Sequence, residues 1–131
     1  MEYKGYGPHL MIDLNACNTE KLADLELCRY FLSSMPDAIG MTKITEPNVF
    51  WYNAEEKEEQ GITGMVIIAE SHISIHTYPY KQFAFIDVFS CKPFDTELAL
   101  QRAVSMFESA DPQHFVSLRG EKFPKTVPVL A

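Results

Sequence analysis

The sequence predicts an α+β fold, a two-layer sandwich in which one antiparallel β-sheet carries helices packed on one face. Two observations predict it. The segments run strand, helix, strands, helix, strand, and a β-hairpin sits in the middle of that order. The chain has 131 residues with nine Phe and six Tyr, enough apolar material for a single core and a single domain spanning 1–131.

The elements follow in order. Gly7-Pro8 precedes an apolar stretch from His9 to Leu14 that reads as a strand. Asp24 is placed to cap a helix running to about Met35, with Leu25, Cys28, Leu32 and Met35 close to helical spacing and Pro36 and Gly40 marking its end. A strand is expected near Met41–Ile44 or Val49–Tyr52. The charged run Ala54–Gln60 reads as a solvated loop closed by Gly61. Met65–Ala69, a continuous apolar run, reads as a buried strand. From Ser71 to Thr77 the residues alternate: Ile73 and Ile75 face one way, His72, Ser74 and His76 the other. Residues 79–82 form a turn and Phe83–Ser90 the next strand. Asp95 caps a second helix with Leu100, Ala103, Val104 and Phe107 on one stripe, and His114–Leu118 is a candidate last strand. The Pro-containing tail from Glu121 is expected to be peripheral.

Composition narrows the function classes. A formal net charge of -7 argues against nucleic acid or an anionic membrane as partner and is compatible with a cationic small-molecule substrate. No apolar run is long enough to span a membrane, and the opening Met1-Glu-Tyr-Lys-Gly5 has no signal-peptide core, so a cytoplasmic location is expected. The three cysteines, Cys17, Cys28 and Cys91, are odd in number and form no CxxC pair, which argues against a disulfide framework or a structural zinc site.

The central hairpin carries the chemistry. With residues 79–82 as its loop, Tyr78 opposes Phe83, Ser71 opposes Ser90 and Glu70 opposes Cys91; a one-residue slip sets Ser71 opposite Cys91 itself. Either register brings a hydroxyl and a thiol together. Strict alternation puts Ser71 and His76 on opposite faces, so their cooperation requires a bend or bulge near Ser71. A metal site from His72, His76 and Cys91 uses zinc ligand types. The two histidines, however, lie about 13 Å apart on an extended strand, too far for one ion unless the backbone folds back. Each of these residues alone reads as an ordinary strand-start serine, surface histidine or core thiol.

The segment Ala69-Glu-Ser-His-Ile-Ser-Ile-His-Thr-Tyr-Pro79, followed by Ile86-Asp-Val-Phe-Ser-Cys91, resembles the small prokaryotic S-adenosylmethionine decarboxylase proenzymes. Their pattern is A-E-S-H-[IV]-S-[IV]-H-T-x-P, then D-[VI]-F-[TS]-C. The opening Gly7-Pro-His-Leu-Met-Ile-Asp-Leu14 is similar to the family's G-x-H-L-x-x-D-L, and the resemblance spans roughly residues 7–108.

The resemblance implies self-cleavage between Glu70 and Ser71 into a β chain, 1–70, and an α chain, 71–131. Ser71 attacks the Glu70 carbonyl, and β-elimination and hydrolysis convert it to a covalent pyruvoyl cofactor. The family assigns the proton acceptor of processing to the position of His76. The pyruvoyl group then forms a Schiff base with the substrate amine and accepts electrons as carbon dioxide leaves. Cys91 matches the family's proton donor, a role that suits a thiol of ordinary pKa near 8.5. Thr63 sits where the family carries a small hydroxyl residue linked to processing. The expected assembly is a homodimer of processed αβ units, with a place in polyamine biosynthesis as the source of the aminopropyl donor for spermidine.

One departure bears on substrate. After Thr-x-Pro the family usually has a Glu understood to bind the ribose hydroxyls; here it is Tyr80. Arginine and ornithine decarboxylases on the same fold are therefore alternatives to S-adenosylmethionine. An uncleaved, non-catalytic regulatory partner is an alternative of another class, opposed by the intact set Glu70, Ser71, His76 and Cys91.

Overall fold

The computed structural model describes residues 5–127; the reading of Met1 to Lys4 and the last four residues of the tail lie outside them. The elements are β1 (Gly7–Asn15), α1 (Thr19–Leu22), α2 (Leu25–Ala38), β2 (Asn48–Tyr52), β3 (Gly61–Ile68), β4 (Ser71–Tyr78), β5 (Phe83–Ser90), α3 (Thr96–Phe107) and β6 (Asp111–Arg119). The strands form one sheet in the order β2-β3-β4-β5-β1-β6, with every pairing antiparallel. The two-layer α+β expectation holds.

Strand alternation sorts the side chains into two faces. Leu10, Ile12 and Leu14 of β1, Ile62, Val66 and Ile68 of β3, Ile73 and Ile75 of β4, and Ala84, Ile86 and Val88 of β5 are buried together. The helices close over them with Cys28, Phe31, Leu32 and Met35 of α2 and Ala99, Ala103 and Phe107 of α3. Phe31 and Phe107 meet edge-on at 5.4 Å, which locks the two long helices to each other. Burying one such side chain stabilises by about 1.5–3 kcal/mol. The caps are those expected: Asp24 accepts from the Leu27 N–H and Asp95 from the Leu98 N–H, each at 3.0 Å. Asn18 caps the additional short helix α1.

Four sequence readings change. Helix α2 continues through Pro36 to Ala38, because one missing N–H costs only the bond to Leu32, and the later Ile39 N–H still reaches the Met35 carbonyl. Of the two segments offered after it, 48–52 is the strand; Lys43 makes only an isolated bridge to Ile68. Strand β3 starts at Gly61 and is not buried throughout: Met65 and Ile67 are 43% and 44% exposed on the face away from the helices. Strand β6 is longer than His114–Leu118, and every residue in it is exposed because the helical layer stops short of this edge.

Candidate active site

The loop 79–82 sets the predicted register. Tyr78 pairs with Phe83 and Ser71 with Ser90 without a slip, and the Cys91 N–H donates to the Glu70 carbonyl at 3.0 Å. At the other end of β4, Ala69 and Glu70 form the two-residue turn from β3, since Ile68 pairs with Ser71. Neither residue has the positive φ that the tight hairpin turns favoured by strand twist require. Groups outside the hairpin hold this turn instead. The Ala69 N–H donates to the Thr42 carbonyl at 2.9 Å. The Thr42 N–H donates to Glu70 Oε1 at 3.1 Å, and Lys92 Nζ lies 3.4 Å from Glu70 Oε2.

The Glu70 carbonyl receives a second donor, the Tyr6 hydroxyl, at 3.3 Å. Tyr6 is set there by β1 and β6: its N–H donates to the Arg119 carbonyl, and its ring packs on Phe89 and, edge-on at 4.9 Å, on Phe123. Part of the tail expected to be peripheral thus supports the site. Gly7, next in sequence, runs so close to β5 that an added Cβ would lie 2.0 Å from the Ser90 carbonyl oxygen. Burial on the Glu70 carboxyl pushes upward, but the Thr42 N–H, its own N–H and Lys92 outweigh it and hold the group below the usual carboxylate range.

Ser71 Oγ lies 3.1 Å from His72 Nδ1. Burial pushes His72 down, the neighbouring His9 and Arg119 push the same way, and Asp87 opposes them. His72 stands edge-on to Phe89, over which the Arg119 guanidinium lies at 4.2 Å, while His9 Nε2 lies 2.9 Å from Asp87 Oδ1. Cys91 is a free, exposed thiol.

His76 is elsewhere. Strand β4 keeps its pairing to β3 from Ser71 to His76 and to β5 from Ser71 to Tyr78, so no bulge redirects it between Ser71 and His76, and His76 lies on the opposite face from Ser71. Five strand steps separate them by about 16 Å. The structure therefore does not join Ser71 and His76 within one protomer. His76 Nδ1 instead lies 3.2 Å from Thr63 Oγ1, directly across the β3–β4 ladder. Thr63 and His76 border a cavity of about 330 Å3 with Phe50, Met65 and Ser74. A second cavity of about 360 Å3, lined by Glu59, Tyr78, Lys81, Phe83 and Phe85, opens near the hairpin loop. Tyr80 stands beside it on the turn, 53% exposed, with Lys57 Nζ 5.1 Å from its ring centre. Among the described residues no group of three or more His, Cys, Asp or Glu is gathered closely enough to hold a metal ion, and His72, His76 and Cys91 are not brought together. No described helix is long and apolar enough to cross a membrane.

The sequence reading missed Tyr6 and gave His72 no role. A single Tyr ahead of Gly7 carries no periodic signal. The adjacency of Ser71 and His72 was visible, but not the side-chain rotation that joins them.

The class the fold and site define is a small two-layer α+β chain with two donors, the Cys91 N–H and the Tyr6 hydroxyl, gathered on the carbonyl of the peptide bond ahead of a serine. Comparison narrows the class. The family model described as S-adenosylmethionine decarboxylase matches residues 8–120, and the chain belongs to that family. An S-adenosylmethionine decarboxylase proenzyme of Thermodesulfovibrio yellowstonii is 37% identical over 128 residues, covering 92% of this chain and 90% of the relative. One from Clostridium botulinum strain Loch Maree is 38% identical over 97 residues, covering 73% of this chain and 77% of the relative. The crystal structure of the adenosylmethionine decarboxylase of Aquifex aeolicus superposes with a TM-score of 0.74 at 29% identity, covering 90% of this chain and 93% of that one. None of these comparisons supports the arginine or ornithine alternative.

Proposed function

We propose that the protein is a proenzyme that cuts its own Glu70–Ser71 bond and then decarboxylates S-adenosylmethionine, supplying the aminopropyl donor for spermidine synthesis. The observation that carries this reading is the Glu70 carbonyl, next to the Ser71 hydroxyl and held by the Cys91 N–H at 3.0 Å. The products are a β chain, 1–70, and an α chain, 71–131. A pyruvoyl group made from Ser71 would supply the electron sink for decarboxylation. The residues present fit it: the serine precursor is intact, and Cys91 adjoins the bond that is cut. Cys91 holds the proton that the substrate carbon needs after carbon dioxide departs. The cytoplasm suits this role, since thiols stay reduced there.

In this reading His76 is the base that removes the Ser71 α-proton, with Thr63 fixing its ring. The distance of about 16 Å between Ser71 and His76 supports a His76 supplied by a second copy, with a homodimer as the working unit. The sheet face without helices suits such a contact. It exposes Phe50, Tyr52, Met65, Ile67 and Phe85 around Thr63 and His76. Glu59, ion-paired to Lys81 at 2.9 Å, offers a carboxylate in the cavity beside Tyr80, where the residue after Pro79 does not.

A parallel assay on S-adenosylmethionine, arginine and ornithine tests the reading, with a denaturing gel of the same preparation. Two fragments and turnover of the nucleoside substrate are expected. A single full-length chain in active protein would overturn the processing; turnover of arginine or ornithine alone would overturn the substrate.

A further inference from the structure

We propose that the first step of the cut, attack of Ser71 on Glu70, is equipped within one protomer, with His72 taking the Ser71 hydroxyl proton and Tyr6 joining the Cys91 N–H as an oxyanion donor. The proposal deepens the self-cleavage reading and rests on it. It divides the labour that the distance to His76 leaves unexplained: His76 serves the later elimination, and a different set serves the acyl shift.

The geometry carries each role. Ser71 Oγ and His72 Nδ1 are 3.1 Å apart, within direct proton-transfer reach. The hydroxyl oxygen adds to the Glu70 carbonyl carbon, and negative charge gathers on the carbonyl oxygen. That oxygen already faces the Cys91 N–H at 3.0 Å and the Tyr6 hydroxyl at 3.3 Å, donors from two different strand ends. The carbon–nitrogen bond then breaks, and the proton held by His72 passes to the released Ser71 amine, leaving an ester. The groups facing His72 are His9, Asp87 and Arg119; burial first, then His9 and Arg119, push the imidazole below its ordinary range against Asp87, which favours the uncharged form a proton acceptor needs. The same oxygen also carries charge later: when the ester is eliminated, Glu70 leaves as a carboxylate, still facing Tyr6 and Cys91.

The test follows cutting of newly translated full-length protein, with and without hydroxylamine, which cleaves an accumulated ester. Tyr6→Phe keeps the ring that packs on Phe89 and Phe123 and removes only the donor. It should slow cutting by about 10²-fold, the scale of one lost oxyanion donor. His72→Gln should slow it by about 10²–10⁴-fold. Hydroxylamine should rescue neither, because neither reaches the ester, whereas His76→Ala should be rescued. Melting curves check that each variant is folded; if His72→Gln melts early, Tyr6→Phe alone carries the test. Wild-type rates in Tyr6→Phe, with Tyr6→Ala slow, would make Tyr6 a packing residue and overturn its role. Rescue of Tyr6→Phe or His72→Gln by hydroxylamine would move that residue to elimination and equally overturn the proposal. A wild-type chain that never cuts would instead overturn the self-cleavage reading itself.

Discussion

At one end of the β4–β5 hairpin, donors from three separate segments converge on Glu70: Tyr6, Thr42 and the Cys91–Lys92 pair. At the loop end, His76 has one side-chain partner among the described residues, Thr63, and borders an open cavity that it shares with the exposed Phe50 and Met65. The first end is internally satisfied, and its groups already point at one bond. The second presents a histidine about 16 Å from that bond, with Thr63 as its side-chain partner among the described residues. A site divided this way shows that ladder neighbours and chemical partners are different sets, since an unbroken strand keeps residues five apart on opposite faces.

Mutations at the two ends should separate cleanly. The largest effect is expected from Ser71→Ala, which removes the attacking oxygen and should abolish cutting. His76→Ala should stall with the ester formed. Co-expression of the two should restore cutting of the His76→Ala chains, since the uncut Ser71→Ala copies bring an intact His76; gels with differently tagged chains read this. Failure of that rescue, with each variant folded, would break the comparison by denying that the ends meet between copies.

Next comes Cys91→Ala. It should still cut, because the backbone N–H that holds the Glu70 carbonyl remains. Turnover should fall by about 10²–10⁴-fold, the range for loss of a positioned proton donor, or the enzyme should inactivate within few cycles. Unchanged turnover and lifetime would exclude the thiol as donor.

Two glycines probe the ends sterically. An added Cβ at Gly7 would lie 2.0 Å from the Ser90 carbonyl oxygen, and one at Gly61 would lie 1.8 Å from that of Thr77. Each alanine variant should lose about 1–3 kcal/mol, read as a lowered melting midpoint, because backbone must shift to admit the methyl. Gly7→Ala should also slow cutting, since it displaces the strand that carries Tyr6.

At the loop end, Tyr80→Glu should shift the activity ratio towards S-adenosylmethionine over arginine and ornithine by roughly 10–100-fold, the worth of charge-assisted hydrogen bonds to a diol. An unchanged ratio would show that Tyr80 does not read the substrate. The smallest effect concerns pH. Because the Glu70 carboxyl is held below its ordinary range, its stabilising contribution is present above the unfolded-state value and lost as pH falls through the folded one. The stability gap between an uncut Ser71→Ala protein and its Glu70→Gln derivative should therefore shrink on acidification; a constant gap would show that Glu70 contributes no ionised-state stabilisation.

Much of this was legible before any coordinates. The hairpin register followed from where Pro79–Gln82 must turn, and both long helices from Asp caps ahead of apolar stripes. What escaped has physical reasons. Met65-Val-Ile-Ile reads as wholly buried because its outward residues are apolar too, and apolar residues on an uncovered face break the link between hydropathy and burial. Tyr6 could not be found from local pattern, because it reaches Glu70 only through pairing of segments more than sixty positions apart. The separation of Ser71 from His76 was visible as alternation, whereas the absence of a bulge was not.

The strand order carries one more consequence. A cut after Glu70 leaves β1, β2 and β3 on one piece and β4, β5 and β6 on the other, while the sheet runs β2-β3-β4-β5-β1-β6. Three of its five strand junctions, β3–β4, β5–β1 and β1–β6, then join different pieces, so the halves are interleaved. They can part only by unzipping the sheet. An uncut protomer folds as a unimolecular reaction before it pairs with a copy, but a cut protomer must find its other half first, and its own folding becomes second order in concentration. Breaking one peptide bond would thus leave the sheet's pairings in place and make the recovery of even a single protomer from denaturant depend on dilution.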